Sequence, residues 1–187
     1  MSSHQAGFTV WLTGLPCSGK TTIAGLLVAE LERRGSVVES LDGDVVRTHL
    51  CKDLGYSRAD RDTNVARLGG VASRLVRHGA PVGVAAISPY REARAQARAL
   101  IEEQGLFVEV WVNAPTEVCA ERDVKGLWAK AAAGEITGMT GVDDPYEPPE
   151  APEVVVDTVA LEPHESVGLV VAYLEQAGAI PVAEVAS

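Results

Sequence analysis

The sequence predicts an α/β fold of the P-loop NTPase type, a three-layer sandwich with a mainly parallel five-stranded sheet and a lid segment. Three observations predict it. Short apolar runs alternate with longer stretches of helical periodicity. The first such pair is joined by Gly14-Leu15-Pro16-Cys17-Ser18-Gly19-Lys20-Thr21, which reads G-x-x-x-x-G-K-T. Asp42-Gly43-Asp44 and Ser88 stand at the carboxyl ends of two further predicted strands, where open α/β sheets bind ligands.

Phe8 to Thr13 is the first predicted strand, an apolar run with β-branched and aromatic residues. Thr22 to Arg34 carries Ile23, Leu26, Leu27 and Leu31 at helical spacing, and Gly35 is placed to stop that helix. Between them, Gly14 and Gly19 permit a loop whose N–H groups turn inward around phosphate oxygens. The helix beginning near Lys20 adds its positive N-terminal end. Lys20 is expected at the β- and γ-phosphates and the Thr21 hydroxyl at Mg²⁺. Cys17 lies inside this loop, either as a small loop residue or as a nucleophile.

Val37 to Leu41 is the second predicted strand and delivers Asp42 and Asp44. Asp-Gly-Asp is either a simple turn or a carboxylate pair that serves a metal's waters or takes a proton from an attacking hydroxyl. A short helix is expected over Val45 to Leu50, then a connection to Tyr56. Ser57-Arg58-Ala59-Asp60 matches a capping box. The helix it opens runs from about Ala59 to His78, with Val65, Leu68, Ala72, Leu75 and Val76 as its buried stripe. Arg61, Asn64 and Arg67 share one face of that helix, which is either a solvated charged face or a grip for a second anion.

Pro81 to Ile87 is the third predicted strand, apolar enough to be buried on both faces. Ser88 then either caps the next helix, with Pro89 at its first position, or faces a ligand. That helix extends to about Gln104, and Leu106 to Val112 forms the fourth strand. A short helix beginning near Thr116 carries Cys119 and Arg122. From Asp123 to Pro152 strand signals vanish and Gly and Pro accumulate, which suits a lid that excludes water from phosphoryl transfer. Trp128 alternatively anchors this segment to the core. Val154 to Val156 makes the fifth strand, and His164 to Gln176 a final helix. Residues 1–6 and the tail beyond Pro181 read as loose termini.

The chain of 187 residues suits one kinase domain with a sizeable core, its lid over about 123–152. A formal net charge of −10 argues against a broad nucleic-acid surface. No apolar run is long enough to span a membrane, and no signal peptide opens the chain. Cys17, Cys51 and Cys119 have no metal-ligand spacing, and together these features favour free thiols in a cytoplasmic protein. The motifs point to a Mg-nucleotide-dependent phosphotransferase or hydrolase. The absence of an Asn-Lys-x-Asp sequence lowers a GTPase reading, and small size with a late lid favours a kinase for a small acceptor.

Seven stretches in order carry a closer resemblance. They are Gly14 to Thr22, Leu41 to Arg47, Leu54-Gly55-Tyr56-Ser57, Asp60 to Asn64, Ile87-Ser88-Pro89-Tyr90-Arg91, Arg122 to Leu127 and Asp144-Pro145-Tyr146-Glu147-Pro148-Pro149. In this combination the chain resembles the adenylylsulfate kinases, which phosphorylate the 3′-hydroxyl of adenosine 5′-phosphosulfate (APS) with ATP. The resemblance implies that Gly14, Leu15, Pro16, Cys17, Ser18, Gly19, Lys20, Thr21, Thr22 and Arg122 bind ATP. It implies catalytic roles for Lys20, Asp42, Asp44 and Ser88, without deciding which aspartate is the general base, and a Mg²⁺ environment of Thr21 and Asp44. Some family descriptions make the serine matching Ser88 a phosphoserine intermediate, whereas direct in-line transfer needs none. Arg47, Arg61 and Asn64 are implied at the phosphosulfate end of APS, and Asp42, Ile87, Ser88, Lys125 and Leu127 elsewhere around the acceptor. Tyr56 is implied as a stacking partner for adenine, where the family usually has Phe.

The chain departs from the family's pattern at several points. Gly138-Met139-Thr140-Gly141 replaces the usual Asn-Phe-Thr-Gly, so Met139 takes the place of the second adenine-stacking ring. Val45 stands where Asn is common, and Trp128 where Tyr is common. A homodimer is implied as well. A kinase for another hydroxyl compound and a non-catalytic nucleotide-sensing module are the alternatives the sequence leaves open.

Overall fold

The computed structural model describes residues 7–183, so the terminus expected over residues 1–6 and the tail from residue 184 lie outside the described residues. In chain order the elements are β1 (Phe8–Thr13), α1 (Lys20–Arg33), β2 (Glu39–Asp42), α2 (Gly43–His49), α3 (Arg58–Arg77) and β3 (Val82–Ala85). They continue with α4 (Arg91–Glu102), β4 (Leu106–Asn113), α5 (Thr116–Arg122), α6 (Leu127–Ala132), β5 (Val154–Asp157) and α7 (Pro163–Gln176). The strands form one five-stranded sheet in the order β2-β3-β1-β4-β5. Every pairing is parallel, as helical crossovers between successive strands require.

All six residues of β1 are buried, because this strand lies at the centre of the sheet with helices on both faces. Alternation along β1 sends Phe8, Val10 and Leu12 to one core, with Ile23, Leu27 and Leu31 of α1 and Val167, Val170 and Leu174 of α7. Trp11 points to the other core, with Leu68, Ala72 and Val76 of α3 and Ala93, Ala97 and Ile101 of α4. The predicted α3 stripe is buried except for Leu75, which is half-buried at its edge.

Several boundaries and caps depart from expectation. β2 starts at Glu39, whose N–H reaches Pro81 O at 3.0 Å, whereas Val37 is 89% exposed and outside the sheet. β3 is confined to Val82–Ala85. Pro81 has no N–H to give to the ladder, and beyond Ala85 the chain turns towards Ser88. Ser88 does not cap α4. Its φ is +40°, α4 starts three residues later, and the free N–H of Arg91 is taken at 2.8 Å by the Glu147 carboxylate from the segment that precedes β5. Ser57 does cap α3, accepting from Asp60 N–H at 3.2 Å, but the Asp60 carboxylate accepts from the Ser57 hydroxyl and so the box is not reciprocal in the usual way.

The segment over residues 123–152 is better ordered than its composition suggests. It contains α6, a bridge between Thr140 and Asp144, and a small core in which Trp128 and Met139 pack with Ala114 and Cys119. Trp128 therefore anchors this segment to the core.

Candidate functional site

The parallel sheet brings the carboxyl ends of β1, β2, β3, β4 and β5 to one edge. The β1–α1 loop sits at the middle of that edge. A side chain cannot stand at position 14. A Cβ there would lie 2.3 Å from Val112 O and 2.7 Å from Ser18 Oγ, so glycine alone lets the loop cross the end of β4. The turn is closed by Ser18 N–H on Leu15 O at 3.1 Å, and Cys17 is held at φ +66°.

Lys20 is 9% exposed and folds back over the loop, donating to Gly14 O at 2.9 Å and Leu15 O at 2.7 Å. Burial pushes its pKa down to about 8, against the pull of nearby Cys119, Cys17, Asp44 and Asp42. One position further into α1, the Thr21 hydroxyl donates to Asp42 Oδ2 at 2.9 Å. The other oxygen of Asp42 accepts from Asp44 N–H at 2.9 Å, which caps α2 and explains why Asp-Gly-Asp follows this strand. Asp44 in turn is paired with Lys125 from the α5–α6 connection. Lys20, Thr21, Asp42, Asp44 and Lys125 are thus brought together from three parts of the chain. Thr22 is exposed on the first turn of α1.

Arg122 is bound at the loop's edge. It donates to Thr158 O at 2.7 Å and Thr158 Oγ1 at 2.9 Å, and Thr158 donates to Ser18 O at 3.0 Å. Ser88 is 3% exposed, accepts from Trp11 Nε1 at 3.1 Å and donates to Ala86 O at 3.3 Å. Ile87 O accepts from Thr13 Oγ1 at 2.7 Å, so the end of β1 holds the chain that carries both residues.

On the α2–α3 side, Arg47 lies over the Tyr56 ring at 4.5 Å and donates to Gly55 O at 3.0 Å. Arg61, 7% exposed, donates from Nε to Tyr56 O at 2.9 Å, from Nη1 to Thr140 Oγ1 at 2.7 Å, and from Nη2 to Gly138 O. Asn64 is 8% exposed, and its Oδ1 is buried without a partner. Arg67, on the same face, is instead committed to Asp53 at 2.6 Å. Tyr56 and Met139, expected on opposite sides of an adenine, have different surroundings. Tyr56 is 66% exposed, whereas Met139 is 7% exposed in the Trp128 cluster, with Leu127 packed against it.

Sequence reasoning passed over three groups at this edge. Thr13, besides holding Ile87, is 3.0 Å from the Tyr146 hydroxyl. Thr158 secures the loop from the end of β5. Arg94 is 3% exposed, paired with Glu109 at 2.8 Å, and donates to Ser88 O at 2.6 Å and Glu147 O at 2.7 Å. For Thr13 and Thr158 the available signal was their position at strand ends.

Comparison with known proteins agrees with this geometry. The sequence matches the family described as adenylylsulphate kinase over residues 6–157. It is 55% identical to an adenylyl-sulfate kinase of Synechococcus sp. (strain JA-3-3Ab) over 174 residues, 93% of this chain and 97% of that one. It is 54% identical to the adenylyl-sulfate kinase of Rippkaea orientalis over 96% of this chain and 98% of that one. Among solved structures, the Mycobacterium tuberculosis APS kinase CysC in complex with AMPPNP and APS superposes with a TM-score of 0.88. It shares 44% identity and covers 91% of this chain and 98% of its own. A family match over most of the chain and relatives this close in sequence, length and fold make this protein a member of the adenylylsulphate kinase family.

Proposed function

We propose that this enzyme transfers the γ-phosphoryl group of ATP to the 3′-hydroxyl of APS, giving ADP and 3′-phosphoadenosine 5′-phosphosulfate. The observation that carries this reading is the Lys20–Thr21–Asp42 arrangement: a buried ammonium on the Gly14 and Leu15 carbonyls, beside a hydroxyl 2.9 Å from a carboxylate. The AMPPNP and APS of the Mycobacterium tuberculosis complex support the choice of donor and acceptor.

The chain's own groups supply positioning and charge. The loop N–H groups and Lys20 hold the donor's phosphates, and Lys20 offsets the charge on the transferring group. The Thr21 hydroxyl and Asp42–Asp44 carboxylates are hard oxygen donors that suit Mg²⁺, which keeps several waters and asks for few protein ligands. Thr21 and Asp44 would hold that ion, which when bound neutralises charge on the phosphate oxygens. Asp42 or Asp44 orients the 3′-hydroxyl and receives its proton as the new O–P bond forms and the bond to the ADP oxygen breaks. A buried Ser88 hydroxyl already donating to Ala86 O supports direct transfer without a phosphoserine. Arg47, Arg61 and Asn64 face the phosphosulfate; the orphaned Asn64 Oδ1 is a hydrogen-bond acceptor, so it suits an O–H or N–H donor of APS rather than the anion itself. Segment 123–152 acts as the lid of a single kinase domain. Family resemblance supports a homodimer, the scattered cysteines support a reducing cytoplasm, and the net charge of −10 argues against a broad nucleic-acid surface.

The acceptor is tested by measuring ADP release from Mg·ATP with APS and with a panel of other small hydroxyl compounds. APS alone should drive rapid turnover; faster turnover with another hydroxyl compound would reassign the acceptor.

A further inference from the structure

Asp144 lies at the junction of three parts of the chain. Its Oδ1 accepts the Tyr90 hydroxyl at 2.7 Å, and its Oδ2 accepts the Thr140 hydroxyl at 3.2 Å. The Arg61 guanidinium lies 3.8 Å from the same Oδ2. Tyr90 is 1% exposed immediately before α4, Arg61 is on the first turn of α3, and Thr140, itself 1% exposed, belongs to the lid segment. The backbone of Asp144 also closes the lid turn, with Gly141 N–H on Asp144 O at 2.8 Å.

The consequence falls on Arg61. A guanidinium has five N–H donors in a fixed fork. Three are directed to Tyr56 O, Thr140 Oγ1 and Gly138 O. One N–H on each terminal nitrogen is left, and that pair suits the two oxygens of an anion. Two of the three partners that fix the fork belong to the lid: Thr140 is held by the Asp144 carboxylate, and Gly138 by the neighbouring Asp143, which accepts from its N–H at 2.7 Å. Tyr90 fixes the Asp144 carboxylate in turn, and burial together with this hydrogen bond pushes the Tyr90 pKa up to about 12, so it remains a donor.

We infer that the Tyr90–Asp144–Thr140 network is a positioning device that ties the lid to the Arg61 fork, making Asp144 and Tyr90 determinants of APS binding. Neither residue touches the reacting atoms. The inference rests on the APS reading for its kinetic consequence, while its structural consequence stands apart from activity.

The test uses Tyr90→Phe, Asp144→Asn and Asp144→Ala in the full-length enzyme. Tyr90→Phe and Asp144→Ala should each raise KM for APS by about tenfold, the scale of a lost hydrogen bond to a charged group, with KM for ATP within about twofold. In the Asp144→Ala background, Tyr90→Phe should add nothing, because its partner is gone. Asp144→Asn retains the acceptor for Tyr90 and should fall between. Hydrogen exchange in residues 138–144 should accelerate about tenfold in Tyr90→Phe and Asp144→Ala, while exchange in β1 and β4 is unchanged. Equal rises in the two KM values, strictly additive effects, or unaltered exchange over 138–144 would each overturn the inference. A wild type that ignores APS while the variants still accelerate lid exchange would remove the acceptor assignment and leave the latch.

Discussion

Thr21 and Asp42 are joined by a 2.9 Å hydrogen bond, although they come from the first turn of α1 and the end of β2. The bond fixes the distance between the phosphate loop and the acidic turn, since Asp42 also caps α2 through Asp44 N–H. It gives the chemistry a geometry that neither motif has by itself.

Removing either carboxylate should therefore impair transfer more than donor binding. Asp42→Asn and Asp44→Asn should each lower kcat by about a hundredfold or more, with ATP affinity changed severalfold at most. Turnover with equilibrium nucleotide binding checks this. Near-normal turnover in both variants would remove the carboxylate role.

Lys20 makes a pH-dependent prediction. Its pKa in the folded protein is about 8, below the ordinary lysine value of 10.5. Between those values the unfolded chain binds more protons, so the burden of burying this ammonium is relieved as pH rises through that window. Nucleotide phosphates restore the charged form. ATP binding near about pH 9 should therefore take up a fraction of a proton, measurable by calorimetry in two buffers of different ionisation enthalpy. A Lys20→Met variant should lack that uptake, and its absence in the wild type would mean that Lys20 is already charged in the free enzyme.

Gly141 packs the 123–152 segment against the β1–α1 loop. Its φ is +93°, and a Cβ there would lie 2.8 Å from Leu15 Cδ2 and 3.0 Å from Trp128 Cη2. Gly141→Ala should cost about 2 kcal/mol from backbone strain and overpacking, lowering Tm by roughly 4–8 °C. An unchanged melt would show that the turn relaxes freely.

Among the described residues the Arg94–Glu109 pair is the most buried ion pair, with side chains only 3% and 11% exposed. Glu109→Gln leaves Arg94 buried without its counter-charge and should destabilise the protein by about 3 kcal/mol, or roughly 6–12 °C in Tm. Arg94→Met should also displace Ser88 and Glu147, whose carbonyls it holds. A double variant less destabilised than the sum of the singles would identify the pair as the coupled unit.

Much of this was readable from the chain. A continuous apolar run located β1, and helical periodicity located α1 and the α3 stripe, because burial on a regular element repeats locally. The phosphate loop was readable because its function depends on backbone geometry that few residue patterns permit. The remainder depended on contacts between distant segments. Arg94 sits among Arg91 and Arg98 in a helix that looks solvated, and only the fold supplies Glu109. Ser88-Pro89 has the chemistry of a helix cap, but the bend at Ser88 puts its hydroxyl on Trp11 and Ala86 instead. Met139 occupies the usual place of an aromatic ring, yet its depth is set by Trp128 and Cys119, which no local pattern reveals.

The most direct measurement is the mass of the nucleotide product formed from Mg·ATP and APS by the wild type and by Lys20→Ala. The expected result is a product one phosphoryl group heavier than APS, formed only when APS is present, and lost in a Lys20→Ala protein that melts like the wild type. ATP binding with no phosphorylated APS, or full activity in Lys20→Ala, would contradict the proposed transfer.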